Sequence, residues 1–430
     1  MRRRPCWQII GLKLLLVAVL LVSILMAASV QRLSASQPVQ DYLVFAVCES
    51  ADTLVLLRFG PGGLHVEKQA RVGLMPMDIN GPHGVAVSPD KKYVYVAVGH
   101  GRPYGSAWKF DAATLTSMQY TNLGLFPATS DISKDGSFLY VANANFHGDM
   151  EPSSISAVAT DEMIEVKRIP TCIMPHGSRF NPQGTKHYSA CMMDDLLVEI
   201  DTASFTVSRH FGLSQGKEMG MAGAPAAHDP DSHNPGLHNP GPHNEAAHGE
   251  GADNGASRKD DSHQAVSHKE LACTPTWAQP SNDGSIVYVA CNQTSEIVAV
   301  DVKTWKMVRR FPAGPGVYNL AMTKDGRLIA TNKRGQSVSV FDPSTGKELA
   351  RIPTKRKVVH GVVVTPDDRY AFISVEGVGA EPGTVEVIDL ESLKTIATVD
   401  VGEQAAGIDV WKTEPTKAEE KTAAAEGQKR

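Results

Sequence analysis

The sequence predicts an all-β chain folded as a seven-bladed β-propeller, closed by one C-terminal strand plus three N-terminal strands. Three observations carry this: a phrase repeated at a near-constant interval, tight hairpin turns inside the copies, and complementary fragments at the two chain ends. The phrase is a small motif ending in Gly or its equivalent, an apolar strand, a polar turn and a second apolar strand. It reads GPHGVAVSPDKKYVYVA at 81–97, FPATSDISKDGSFLYVAN at 126–143, MPHGSRFNPQGTKHYSAC at 174–191, TPTWAQPSNDGSIVYVAC at 274–291, GVYNLAMTKDGRLIATN at 316–332 and VVHGVVVTPDDRYAFISV at 358–375, with a truncated AAGIDVW at 405–411. With His83 as reference, the column continues through Ala128, His176, Thr276, Tyr318, His360 and Ala406. The intervals lie between 42 and 48 residues except for one of 100. A period in the forties built of short alternating strands is the sequence form of a propeller.

The elements follow in chain order. Strands at 42–47, 53–59 and 64–72 come first, with no copy of the phrase before them, and the seventh copy stops after one strand near Trp411. Joined, they complete one blade and hide the sheet edges that would otherwise face water. Within the copies, Asp135-Gly136, Asp283-Gly284 and Asp325-Gly326 supply turn residues that accept positive φ. The propeller so defined spans 42–411. Between its third and fourth copies, residues 212–271 are rich in Gly, Pro, Ala, Asn and His and have no hydrophobic period, which predicts a disordered insert. Residues 412–430 mix Lys, Glu and Ala without an apolar face and read as a flexible tail.

Pro82-His83-Gly84-Val85-Ala86-Val87-Ser88-Pro89-Asp90 followed by Tyr93-Val94-Tyr95-Val96-Ala97 resembles the YVTN-type β-propeller repeat. The resemblance covers about residues 42–411 apart from the insert. It implies the propeller fold, and a family whose members include surface proteins, binding scaffolds and relatives of lactonases and dehydrogenase subunits. Function must therefore come from sites.

Arg2, Arg3 and Arg4 precede an apolar stretch at 14–28 interrupted only by Ser23, and Ser34-Ala35-Ser36 follows. This is the tripartite pattern of an export signal over residues 1–36. The apolar run is shorter than the roughly 20 residues a spanning helix needs. Cleavage is the expectation, and an uncleaved anchor counted from Ile9 is the alternative and the only membrane attachment foreseen. Either way the basic end stays in the cytoplasm and the rest is exported, to the periplasm or beyond. Residues 1–36 hold five basic groups and no acid, so cleavage doubles the net charge of −5. A mature protein this acidic is not expected to bind nucleic acid.

Export colours the cysteines. Cys6 precedes the signal core, leaving Cys48, Cys172, Cys191, Cys273 and Cys291 in an oxidising space, an odd number. Cys172 with Cys191 and Cys273 with Cys291 occupy nearly the same places in two successive copies. They read either as two disulfides that staple the inner strands of their blades, or as partly reduced sulfurs. In the second reading Cys172, Met174, His176, Cys191 and Met192 form a soft copper site.

Two further groups point to metal. In the insert, His228, His233, His238, His243 and His248 recur every five residues, and His263 and His268 repeat the interval. Neutral imidazole suits copper, nickel and zinc, and Met219 and Met221 just upstream add thioethers suited to Cu(I). His83, His176 and His360 share a column near the channel mouth, but in blades one, three and six the seven-fold ring is expected to hold them apart unless the channel is narrow. Packing is the competing role. His100 and His147, each followed by Gly, face the same side. Asp131, Asn143, Asn292, Asn319, Asn332, Glu376 and Asp409 are oxygen donors of the kind lactonase-like propellers use for Ca²⁺. The runs Lys355-Arg356-Lys357 and Lys333-Arg334 read as solvated turns.

No Gly-rich phosphate loop, His-Glu-x-x-His, Gly-x-Ser-x-Gly or Cys-x-x-Cys-His occurs, so nucleotide and covalent haem are not expected. The sequence thus points to an exported binding protein for a copper-like metal ion, more readily than to an enzyme. The alternatives are a non-catalytic scaffold for an envelope protein, and a lactonase-like hydrolase or oxidoreductase subunit served by an electron-transfer partner.

Overall fold

A computed structural model describes residues 38–75, 78–100, 105–225 and 272–416. Residues 1–36, read from the sequence as an export signal, the seven histidines at 228–268 and residues 417–430 lie outside them. Among the described residues there is no helix. Seven antiparallel sheets form, six of four strands and one of five. Blade one runs outward from the axis as Pro82–Val87, Tyr93–Val98, Ser106–Asp111 and Ser117–Asn122. The inner strands of blades two to six are Pro127–Ile132, Pro175–Phe180, Pro275–Pro280, Val317–Met322 and Val359–Val364.

Blade seven joins the chain ends as expected. Its innermost strand, Ala405–Glu414, pairs antiparallel with Asp41–Cys48, and Thr53–Gly60 and Gly63–Arg71 follow outward. Arg58 clamps the closure, with Nη1 2.7 Å from both Asp41 and Glu414 and Nε 3.0 Å from Glu67. Consecutive inner strands touch around a complete ring.

Blades pack face to face, so the first three strands of each are buried on both sides and read as nearly continuous Val, Ala and aromatic runs. Between blades seven and one, for example, Phe45, Val96, Trp108, Phe110 and Trp411 share one cluster. Outermost strands are polar and exposed, as in Ser117–Asn122.

Both disulfides form, Cys172–Cys191 and Cys273–Cys291, and Cys48 is free and buried. Their placement differs from the expected inner-strand staple. Cys172 closes Ile164–Ile173, the outermost strand of blade two, and Cys273 precedes Pro275–Pro280. Each bond therefore ties the crossing between blades to the end of the next blade's second strand. Two boundaries also move. Gly220–Ala222 pairs with Thr206–Gly212 as a fifth strand of blade three, so the insert begins as sheet. Gly220 makes this possible, since a Cβ there would stand 2.3 Å from the Trp305 ring. At the other end, Lys412, Thr413 and Glu414 are paired strand residues rather than tail.

Candidate functional site

Every inner strand carries one extra residue against its neighbour near its start. Pro82 and Gly84 oppose the adjacent pair Val98 and Ala97, Pro175 and Ser178 oppose Cys191 and Ser189, and Val359 and Val362 oppose Val375 and Ile373. Such a bulge bends the strand and re-aims the side chains on either side of it. Gly then follows His in blades one, three and six because the backbones of adjacent blades nearly touch. A Cβ on Gly84 would lie 2.6 Å from the Ala128 carbonyl oxygen, and one on Gly177 would lie 2.4 Å from that of Thr276.

This close approach draws the three imidazoles together, contrary to the separation expected from the ring. The His83 ring centre is 5.1 Å from His360 and 6.1 Å from His176, and Tyr318 completes the layer at 4.9 Å from His360 and 5.5 Å from His176. Hydroxyls from neighbouring blades fix the backbone beneath. Thr129 donates to the His176 carbonyl at 2.6 Å, Thr276 to that of Tyr318 at 2.8 Å and Thr331 to that of His360 at 2.9 Å.

The three histidines are not equivalent. His176 is wholly buried and satisfied: Nδ1–H donates to the Thr276 carbonyl at 2.8 Å, and Nε2 accepts the Tyr318 hydroxyl at 3.1 Å. Burial, reinforced by the charges of His83 and Lys333, lowers its pKa to about 3, so it is neutral. His83 donates through Nδ1 to Glu49 at 2.8 Å, while its Nε2 is buried with no hydrogen-bond partner. Both ring nitrogens of His360 lack a well-formed hydrogen bond, and Nε2 faces Glu376 at 3.8 Å. Burial and the nearby Lys333 charge hold His360 neutral as well.

The walls come from the ends of second strands. Glu49, Lys333 and Glu376 each follow a strand end in blades seven, five and six. Burial works against the Glu49 charge, but His83 and His100 outweigh it and hold the carboxyl well below its ordinary range. Lys333 is no solvated turn: its ammonium is 2.7 Å from Glu376 and 4.4 Å from the centre of the Tyr318 ring. Burial opposes its charge and Glu376 more than restores it. Burial likewise raises the Tyr318 pKa to about 12. Phe126 and Phe146 pack on His83, and His100 stacks on His147 at 5.1 Å. Of these, the sequence reading singled out His100, His147 and Glu376, and missed Glu49, Lys333, Phe126 and Phe146.

The sulfur site is corrected. Cys172 and Cys191 are bonded to each other, so neither is a thiolate donor to copper. Met174 and Met192 meet through their backbones beside that bond, Met192 N–H donating to the Met174 carbonyl at 3.0 Å. Met219 and Met221 lie on the outer edge of blade three, remote from the axis. Among the described residues no three His, Cys, Asp or Glu side chains are placed to hold one metal ion. Asn143 and Asn332, read as calcium donors, instead hydrogen-bond pairs of serines within their own blades.

A second level lies three residues further along the inner strands. There the ring runs Ala86, Asp131, Arg179, Gln279, Ala321, Val363 and Asp409, around a cavity of about 220 Å³. Asp131 accepts from Phe180 N–H at 2.7 Å and Asp409 from Val87 N–H at 2.8 Å, each reaching the next blade. Burial raises the pKa of both acids against the pull of Arg179 and these donors.

These features define a seven-bladed propeller with a two-level axial channel. No family model matches the chain, and no curated protein matches it. Solved structures do. Hydrazine synthase of Kuenenia stuttgartiensis is similar at 17% identity and a TM-score of 0.55, over 80% of this chain and 99% of that one. The periplasmic gluconolactonase of Pseudomonas aeruginosa is similar at 16% identity and a TM-score of 0.60, over 86% and 99%. Dihydro-heme d1 dehydrogenase NirN follows at 15% and 0.52, over 87% and 77%. At such identities the likeness is one of fold.

Proposed function

We propose that this protein is an exported binding protein that takes a transition-metal ion, copper-like, nickel or zinc, on the histidine layer of its channel. One observation carries the reading. His83, His176 and His360 come from three blades to one spot, where His83 Nε2 is buried without a partner and both His360 nitrogens lack a well-formed hydrogen bond. Each unpaired buried nitrogen costs about 1–3 kcal/mol, and a bound ion would relieve that cost beside His176 and His360, which are held neutral as metals prefer. Coordination asks the rings to turn, and His176 must give up the Tyr318 hydroxyl to join. The seven histidines at 228–268 belong to the same proposal as a collecting segment. Export is supported by the export pattern at 1–36 and by two disulfides, which persist in oxidising compartments. The YVTN-type assignment rests on the repeated phrases alone. An envelope or electron-transfer protein that receives the ion is the partner this role calls for.

Calorimetric titration of Cu(II), Ni(II) and Zn(II) tests the proposal. The chain from residue 37 onward should bind several equivalents, and deletion of 226–268 should remove most of them. The remainder should vanish when His83→Ala and His360→Ala are added. Undiminished uptake after the deletion sinks the collecting role, and a remainder indifferent to both substitutions sinks the axial site.

A further inference from the structure

At the second level the charges do not balance. Asp131 and Asp409 stand on either side of Ala86 in the ring of inner strands, and among the described residues Arg179 is the only cation lining the same cavity. That guanidinium is already engaged, donating from Nη1 to the Ser178 carbonyl at 2.9 Å and lying 4.6 Å from the centre of the Trp277 ring. Each carboxylate takes two backbone N–H bonds, which leaves lone pairs free. The opposite arc, from Ala321 and Met322 to Val363, is apolar.

A net negative arc facing a greasy one selects an amphiphilic cation. Anions are repelled by the carboxylates, and an unpaired buried charge is costly until something neutralises it. A single small ion fits poorly, because Asp131 and Asp409 are the two acids lining the cavity and no imidazole joins them. The space, about 220 Å³, is that of several waters at roughly 30 Å³ each. An alkyl ammonium matches: N–H donors for the free lone pairs of two carboxylates, and a carbon chain for the apolar arc.

We propose that this cavity binds a small aliphatic amine bearing a hydrogen-bonding oxygen. Its ammonium sits between Asp131 and Asp409 above Ala86, its oxygen meets Arg179 or Gln279, and its methylenes lie on Met322 and Val363. The site is independent of the histidine layer.

Aminobutanol is the probe, with butanol, butyrate, calcium chloride and potassium chloride as controls, read by calorimetry and by the thermal midpoint of the chain from residue 37 onward. Saturable binding of aminobutanol with silent controls is expected. Asp131→Asn and Asp409→Asn, which remove the charge and keep one of the two backbone-accepting oxygens, should each weaken it at least about tenfold. Ala86→Leu, which keeps both carboxylates but fills the gap between them, should abolish it, and His83→Ala with His360→Ala should leave it unchanged. The proposal fails if the amine gives no saturable signal, if butanol or either salt binds equally, or if binding survives both Asp409→Asn and Ala86→Leu.

Discussion

At the level of His83, His176 and His360 the channel is filled by aromatic and imidazole rings packed about 5 Å apart, while at the level of Asp131, Arg179 and Asp409 it opens into a polar cavity. The same seven strands supply both, about 10 Å apart at some 3.3 Å per residue. In a regular strand, residues three apart point to opposite faces. The extra residue in each inner strand breaks that alternation, so the histidine column and the Asp131–Arg179–Asp409 column both face the axis. One bulge, repeated seven times, gives the channel two levels of different chemistry.

The largest test removes what both levels share. Gly177→Val puts a side chain where even a Cβ would lie 2.3 Å from Trp277 and 2.4 Å from the Thr276 carbonyl. The loss should be on the order of 4 kcal/mol or a failure to fold, read from soluble yield and the urea midpoint. Next, replacing Cys172 and Cys191 together by Ala should cost about 2–4 kcal/mol by urea unfolding, yet leave metal stoichiometry unchanged, because these sulfurs are not donors.

Within the upper level, His176→Leu should cost about 1–3 kcal/mol, since it strands the Thr276 carbonyl and the Tyr318 hydroxyl. His360→Leu should leave stability unchanged or raise it by up to about 3 kcal/mol, since its nitrogens give up no well-formed hydrogen bond. Equal losses would make the two histidines alike and erase the distinction between a positioned ring and a waiting ligand.

In pH the two levels should respond with opposite sign. His176 is neutral in the folded state with its pKa lowered from 6.5 to about 3, so the unfolded chain takes up its proton first and stability falls as pH drops through that window. Asp131 and Asp409 have raised folded values, so their contribution is present below the ordinary 3.8 and is lost as pH climbs above it. Urea midpoints measured across acidic pH should flatten on the lower side in His176→Leu and on the upper side in the double Asp131→Asn, Asp409→Asn variant.

Much of this architecture was legible. The copy number, the hairpin turns and the pairing of 42–47 with the last strand follow from periodicity, because each repeat must bury both faces of its sheet against its neighbours. The two cysteine pairs and the column His83, His176, His360 were visible too. Glu376 was read as an oxygen donor; Glu49 and Lys333 also had a signal, each directly following the end of a second strand, but it emerges only when the copies are aligned at that end. Reading Lys333 as a solvated turn failed because charge runs in sequence carry no depth: Tyr318 and Glu376, which hold it, come from elsewhere in the chain.

The sequence by itself determined the seven-fold ring, its closure and which residue types recur at each strand position, since these depend on local periodicity and turn chemistry. Only the tertiary structure decided that three imidazoles meet while two carboxylates and a guanidinium face a separate cavity. That outcome depends on one-residue bulges and on backbones approaching closely enough to exclude a Cβ. Both are set by packing between blades and leave no mark in the spacing along the chain.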